Sequence, residues 1–247
     1  MYNNIFMEKP LISIITVCYN AIHDIERTIL SVINQTYPNI EYIIIDGGSI
    51  DGTLDVIKKF KSNISLYISE PDKGIYDAMN KGIKLASGKW INFMNAGDIF
   101  YDNDVVYNIF NLENEFDSFS VVYGKTEFIY SHKREIIGQK NHKLYKIMPS
   151  CHQSIFCKTD ALKAHPFNLK YKYAADLDFF NHLHKKYCKY KYVDIIVASY
   201  DAVYGVSSSN AYECQKEVLS ILYPIKIQYY LYIFVYIIKQ FIKKILY

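Results

Sequence analysis

Four clusters rich in Asp, Asn and Gly follow apolar runs in the first hundred of the chain's 247 residues. They are Thr16-Val17-Cys18-Tyr19-Asn20, Asp46-Gly47-Gly48-Ser49, Glu70-Pro71-Asp72-Lys73-Gly74 and Asn95-Ala96-Gly97-Asp98. Any one of them would serve as a turn or a helix cap. Four in succession point to a single ligand site, because open parallel sheets bind ligands beyond the carboxyl ends of their strands. Bare carboxylates repel phosphate, so a phosphorylated ligand here calls for a divalent cation between them. Asp98, directly after the fourth apolar run, is the natural anchor for Mg²⁺ or Mn²⁺ on oxygen ligands. No G-x-G-x-x-G follows the first run and no G-x-x-x-x-G-K-[ST] occurs anywhere, which removes the main support for a dinucleotide site or a P-loop.

The elements that must position these clusters are read from periodicity. Residues 11–17 and 41–45 are nearly continuous β-branched runs, as expected of strands buried on both faces, with further strands at 64–68 and 90–94. Between them, Ile22, Ile25, Ile29, Val32 and Ile33, then Leu54, Ile57 and Phe60, then residues 75–86 mark three helices. This alternation predicts βαβ units and a parallel sheet covered on both faces. After Asp98 the pattern predicts a second, mixed lobe: a helix near 103–111, strands near 120–124, 126–130 and 152–157, an irregular stretch at 131–147, a helix at 174–187 and a strand at 190–198.

Composition narrows the function classes. With 51% hydrophobic and 21% charged residues the chain is globular, and disorder or coiled coil is excluded for it as a whole. Only Arg27 and Arg134 among the 28 basic residues are arginines, a poor supply for reading nucleic acid. Residues 215–247 hold five Lys against the single Glu217, so +4 of the net +3 sits there and the remainder is −1. Five cysteines without a C-x-x-C pair fit reduced thiols, and Met1–Pro10 lacks a signal-peptide pattern; a cytoplasmic protein is expected.

The stretches Ile14–Asn20, Ser31–Asn39, Ile45–Thr53 and Ser69–Gly82 closely resemble family 2 glycosyltransferases of the GT-A fold, in the branch that assembles bacterial O-antigen, capsule and similar polysaccharides. The resemblance covers about residues 11–209. It implies an α/β GT-A domain with a Rossmann-like nucleotide-binding half (about 11–100) and a mixed acceptor half (101–209). It also implies that Thr16, Tyr19 and Asn20 line the nucleotide pocket and that Asp46 accepts hydrogen bonds from the base or ribose. The loop Asp72-Lys73-Gly74 would close over the donor, with Asp77 and Asn80 nearby; helix capping explains Asp77 nearly as well. The family's metal motif, D-x-D, here reads Asn95-Ala96-Gly97-Asp98, which leaves Asp98 as the principal ligand and lets Asn95 act through a water. In Ala174-Ala175-Asp176-Leu177-Asp178, Asp176 aligns with the catalytic base of an inverting transfer. Without the resemblance, Asp176 reads first as a helix cap. His152-Gln153 resembles an acceptor-side segment, and Ser207, in the loop 205–208, lies near the expected pyrophosphate.

Residues 227–238 are almost wholly apolar or aromatic and Lys239, Lys243 and Lys244 follow. A spanning helix needs about 20 apolar residues, so an amphipathic segment (210–247) lying on the inner face of the cell membrane is expected. Packing on the protein's own surface, or on a second copy as a homodimer, is the other use for such a face. The sequence thus predicts a metal-assisted, inverting transfer of a sugar from a nucleotide diphosphate donor to a hydroxyl of a surface-polysaccharide precursor, an O-antigen, capsule or lipooligosaccharide, with a lipid-linked acceptor the natural partner of a membrane-bound enzyme. The alternatives are a sugar nucleotidyltransferase, which would want a basic, glycine-rich loop where Cys18-Tyr19-Asn20-Ala21 stands, and a non-catalytic nucleotide-sugar-binding subunit.

Overall fold

A computed structural model describes residues 9–111, 116–138, 148, 150–203 and 210–223. The first four strands, β1 (Ile12–Cys18), β2 (Ile40–Asp46), β3 (Leu66–Ser69) and β4 (Trp90–Phe93), are parallel and stand in the order β3-β2-β1-β4. Their connections are the helices α1 (Ile25–Ile33), α2 (Thr53–Lys59) and α3 (Ile75–Leu85), as the periodicity requires. All seven β1 residues are buried, which is why the run shows no polar alternation. Ile15, Ile43 and Ile45 face α3, whereas Ile14 and Ile44 face α1 and α2, so the sheet has a separate apolar core on each side.

The sheet continues past β4 without a break. β8 (Ile155–Lys158) pairs antiparallel with β4, then β6 (Val121–Ile129), β9 (Tyr190–Asp201) and the two-residue β5 (Ile99–Phe100) complete it, and β7 (Arg134–Ile137) joins β6 beyond β8. Helix α4 (Val105–Phe110) covers the α1 side. On the α3 side lie α5 (Thr159–Ala164), α6 (Ala175–Lys185) and α7 (Ala211–Leu222).

Three expectations are corrected here. The strands read at 120–124 and 126–130 are one strand, β6, because Gly124 is a bulge against β9 and not a turn: a Cβ there would lie 2.5 Å from the Ile195 carbonyl oxygen. The strand read from 152 starts at Ile155, after a short 3₁₀ turn over His152–Ser154. The stretch 131–147 contains β7. Of the C-terminal segment, α7 buries Ile221 in the α3-side core, and residues 224–247 lie outside the described residues. Among the described residues, no helix is long and apolar enough to cross a membrane.

Candidate active site

Since β1 to β4 are parallel, Asn20, Gly47, Glu70 and Asn95 all lie beyond one edge of the sheet, and antiparallel β8 delivers His152 and Gln153 to that same edge. The loop after β2 is built around Asp46, whose carboxylate is fully buried. Its Oδ2 accepts from the N–H groups of Gly48 (3.1 Å) and Ser49 (2.9 Å) and from the Ser69 hydroxyl (2.6 Å); Oδ1 accepts from the Ser49 hydroxyl and, at 3.5 Å, the Cys18 thiol. Burial alone would raise the Asp46 pKa, but the Ser49 and Ser69 hydroxyls outweigh it and hold the group below the usual carboxylate range. Asp46 therefore has no free lone pair to offer a base or ribose, contrary to the sequence expectation; it shapes the rim.

A stability prediction follows from that lowered pKa. Its contribution is complete above the unfolded aspartate pKa of about 4 and is lost as pH falls through the lower folded value. Asp46→Asn is expected to be less stable than wild type by about 3 kcal/mol at pH 7, because buried donors lose their acceptor. Denaturant titration from pH 7 to pH 3 should show that gap constant down to about pH 5 and narrowing below.

Thr16 is also corrected. It has no exposed surface, and its hydroxyl donates to the Met94 carbonyl (2.7 Å) and pairs with the Tyr42 hydroxyl (3.0 Å), bracing β1 against its neighbours. Tyr19 is 63% exposed, and Asn20 clamps the rim by accepting from Ile50 N–H (3.0 Å) while its own N–H donates to Ser49 (2.7 Å). Three loops meet over the Gly47 backbone: a Cβ there would fall 2.6 Å from Asp72 Oδ2 and 3.3 Å from the Tyr19 ring. Asp72 accepts from Gly74 N–H (2.8 Å) and Asp77 from Lys73 N–H (3.0 Å); the second contact is the capping role that competed with donor binding for Asp77. Asn80 pairs both amide atoms with the Phe167 backbone, at 2.8 Å each, and is a brace between α3 and the loop before α6. Ser207 lies outside the described residues.

The second group of residues forms a connected chain. Gln153 Nε2 donates to Asp98 Oδ2 (2.8 Å). Its neighbour His152 has Nε2 2.8 Å from Asn95 Nδ2 and Nδ1 3.6 Å from Asp176 Oδ2. His152 thus stands between Asn95 on one ring nitrogen and Asp176 on the other. Asp176 Oδ1 accepts from the Tyr76 hydroxyl (2.9 Å) and Leu177 N–H (2.8 Å), which leaves Oδ2 as the oxygen able to take a proton. Burial, then the Asp176 charge, push the Tyr76 phenol well up, so it remains a donor.

Sequence reasoning missed Tyr76 and Thr28. Thr28 stands on the apolar face of α1 between Ile25 and Val32, which is the signal that was there to read; its hydroxyl accepts from Gly97 N–H (3.0 Å) and donates to the Asp98 carbonyl (2.8 Å). Gly97 has φ +101°, a backbone that disfavours any other residue, and this accounts for the missing carboxylate at that position of the motif. Tyr76→Phe is expected to cost the buried hydrogen bond that holds Asp176 Oδ1. The accompanying fall in Tm, measured by calorimetry, should be about 3 °C.

Burial pushes the Asp98 pKa up to about 6, with His152 and Gln153 opposing the rise. Among the described residues no three His, Cys, Asp or Glu side chains gather as a ligand cluster. What flanks Asp98 is a pair of buried amide oxygens, Asn95 Oδ1 and Gln153 Oε1, that lack any hydrogen-bond partner. One carboxylate with neutral oxygens fits Mg²⁺ or Mn²⁺ of the kind that takes its remaining ligands from water and substrate phosphates.

Comparison with known proteins agrees with this architecture. The solved structures most relevant to it share the GT-A fold: S. aureus TarS 1–349 in complex with UDP-GlcNAc (TM-score 0.68, 19% identity, 85% of this chain and 66% of that one) and the mannosyltransferase PcManGT from Pyrobaculum calidifontis in complex with GDP-Man and Mn²⁺ (0.67, 15%, 87% and 64%). The chain thus spans about two thirds of each. The sequence profile of Glycosyl transferase family 2 matches residues 13–170, and the PGL/p-HBAD biosynthesis glycosyltransferase of Mycobacterium bovis is 30% identical over 213 residues, 82% of this chain and 81% of that protein. The chain belongs to glycosyltransferase family 2.

Proposed function

We propose that this glycosyltransferase moves a sugar from a nucleotide diphosphate donor to a hydroxyl of a surface-glycan precursor with inversion at the anomeric carbon. The observation that carries the reading is the chain Asp98–Gln153 and Asn95–His152–Asp176–Tyr76, which ties a candidate cation anchor to a buried carboxylate whose Oδ2 faces only the His152 ring at 3.6 Å. Asp176 Oδ2 takes the acceptor proton as the acceptor oxygen bonds to the anomeric carbon and the bond to the diphosphate breaks. Tyr76 and Leu177 N–H hold the other oxygen, and His152 keeps the carboxylate turned toward the metal loop. Asp98, Asn95 and Gln153 would hold the cation, which supplies charge stabilisation for the departing diphosphate when bound. Tyr19, Asn20 and the loop Asp72-Lys73-Gly74 form the rim on which the nucleotide rests, kept in shape by Asp46 from below.

The ligands of the structural neighbours support the donor class, UDP-GlcNAc for TarS and GDP-Man with Mn²⁺ for PcManGT, and the mycobacterial relative is a glycosyltransferase of PGL/p-HBAD biosynthesis. A lipid-linked acceptor met at the inner membrane face suits the lysine-rich segment after residue 223. A calorimetric screen of nucleotide diphosphates and their sugars, with and without Mn²⁺, tests the reading: one sugar nucleotide should bind at micromolar Kd only with the cation and be consumed when the acceptor is added. Binding without product in the presence of acceptor would favour a non-catalytic subunit and overturn it.

A further inference from the structure

Helix α6 carries Asp176 in its first turn, yet its N-cap is Ala174, which has no side chain able to satisfy the orphan N–H groups there. The segment leading into the helix is instead held from another element, which also takes the Ala174 N–H. Glu217, midway along α7, accepts from Lys172 N–H through Oε1 (2.8 Å) and from Tyr173 (2.8 Å) and Ala174 (3.0 Å) N–H through Oε2. It is the sole acid in a stretch, 215–247, that otherwise carries five lysines. Its charge faces the positive end of α6, and three donors converge on one carboxylate. The same short segment is held from the opposite side by Tyr76, whose hydroxyl lies 3.1 Å from the Tyr173 carbonyl and 2.9 Å from Asp176. Ile221, on the same helix, is buried in the α3-side core, with Val218 and Leu222 packed against it. The backbone that aims Asp176 is therefore clamped between α3 and α7.

We propose that Glu217 is a positioning residue for the transfer reaction: by fixing residues 172–174 it sets the orientation of Asp176, and so makes α7 part of the catalytic apparatus. This rests on reading Asp176 as the base. Glu217 touches neither the nucleotide rim nor the Asp98 loop, so its loss should reach kcat and spare the donor KM. A residue that only stapled the fold would lower stability and would add its cost to any other change, independent of Asp176.

The test compares wild type, Asp176→Asn, Glu217→Ala, the double variant and Glu217→Gln in steady-state transfer, with donor binding followed by calorimetry. Glu217→Ala should lower kcat about tenfold with donor KM and Kd within twofold of wild type, and should cost less than twofold when added to Asp176→Asn. Glu217→Gln keeps one oxygen for Tyr173 and Ala174 and should lose about threefold, a partial rescue that serves as the test if the alanine variant fails to bind donor. Equal losses in both backgrounds, or wild-type kcat in either Glu217 variant, overturn the proposal. Wild-type activity in Asp176→Asn would instead sink the base reading, and with it this inference, so the two failures are told apart.

Discussion

Asp176→Asn is expected to lower the transfer rate about a thousandfold while leaving donor affinity and thermal stability close to wild type. The substitution is nearly isosteric, and an amide oxygen at the Oδ1 position still accepts from Tyr76 and Leu177 N–H, so the α6 turn keeps its shape. What disappears is the group proposed to take the acceptor proton; losing a positioned base costs between about a hundredfold and ten-thousandfold. His152 is a poor substitute, because one of its ring nitrogens is engaged by Asn95. The measurement is single-turnover transfer with saturating donor. A loss below tenfold in the folded variant would remove Asp176 from the chemistry. Hydrolysis of the donor in the absence of acceptor should fall far less, since water needs no acceptor-side alignment.

Asp98→Asn should reduce kcat/KM at least a hundredfold and abolish cation-dependent donor binding, yet the chelated protein should be as stable as wild type or more so. The two effects go together because the carboxylate is buried with few partners: Gln153 donates one hydrogen bond to it, and burial drives its pKa up to about 6. Keeping a charge there costs folding energy, and a neutral amide of the same shape removes that cost while preserving an acceptor for Gln153. A function-bearing residue whose neutralisation stabilises the fold is the pattern expected of a site strained for its ligand. Differential scanning calorimetry in chelator, beside titration of donor with Mn²⁺, reads both quantities. A destabilised Asp98→Asn that still binds donor with the cation would contradict the assignment.

The parallel half of the sheet was legible because its signals are local. β1 and β2 are continuous apolar runs, α1 and α3 are amphipathic over two or three turns, and the glycines and aspartates that punctuate them fall at the true loop positions. The second half was less so. The strands near 120–124 and 126–130 were read as two because sequence does not reveal the backbone of β9 pressed against Gly124, and β5 and β7 are two and four residues long, with identities set by distant partners. Within the site, Asp98, Asn95, His152, Gln153 and Asp176 were each singled out in the sequence, but their mutual contacts were not readable there. The direction in which Asp46 faces was not readable, because its donors Cys18 and Ser69 come from two other strand ends. Tyr76 looked like one more apolar position of α3, and nothing local distinguishes a packed phenol from one whose hydroxyl meets a carboxylate a hundred residues on.

The antiparallel seam between β4 and β8 has a consequence for how the molecule is made. β4 is buried along its whole length, and what covers its outer edge is a strand supplied much later in the chain, with Trp90 set against Lys158 and Asn92 against Phe156. A growing chain that has released only its first hundred residues has all four nucleotide loops but a raw, apolar strand edge, the kind of surface that pairs with another copy. The sequence separation of these pairings, and of Ile99 with Ser199, makes closure slow relative to the local βα units. The segment that brings His152 and Gln153 to the cleft is thus also the one that shields the half-made sheet from aggregation, and the catalytic centre comes together only as that hazard is removed.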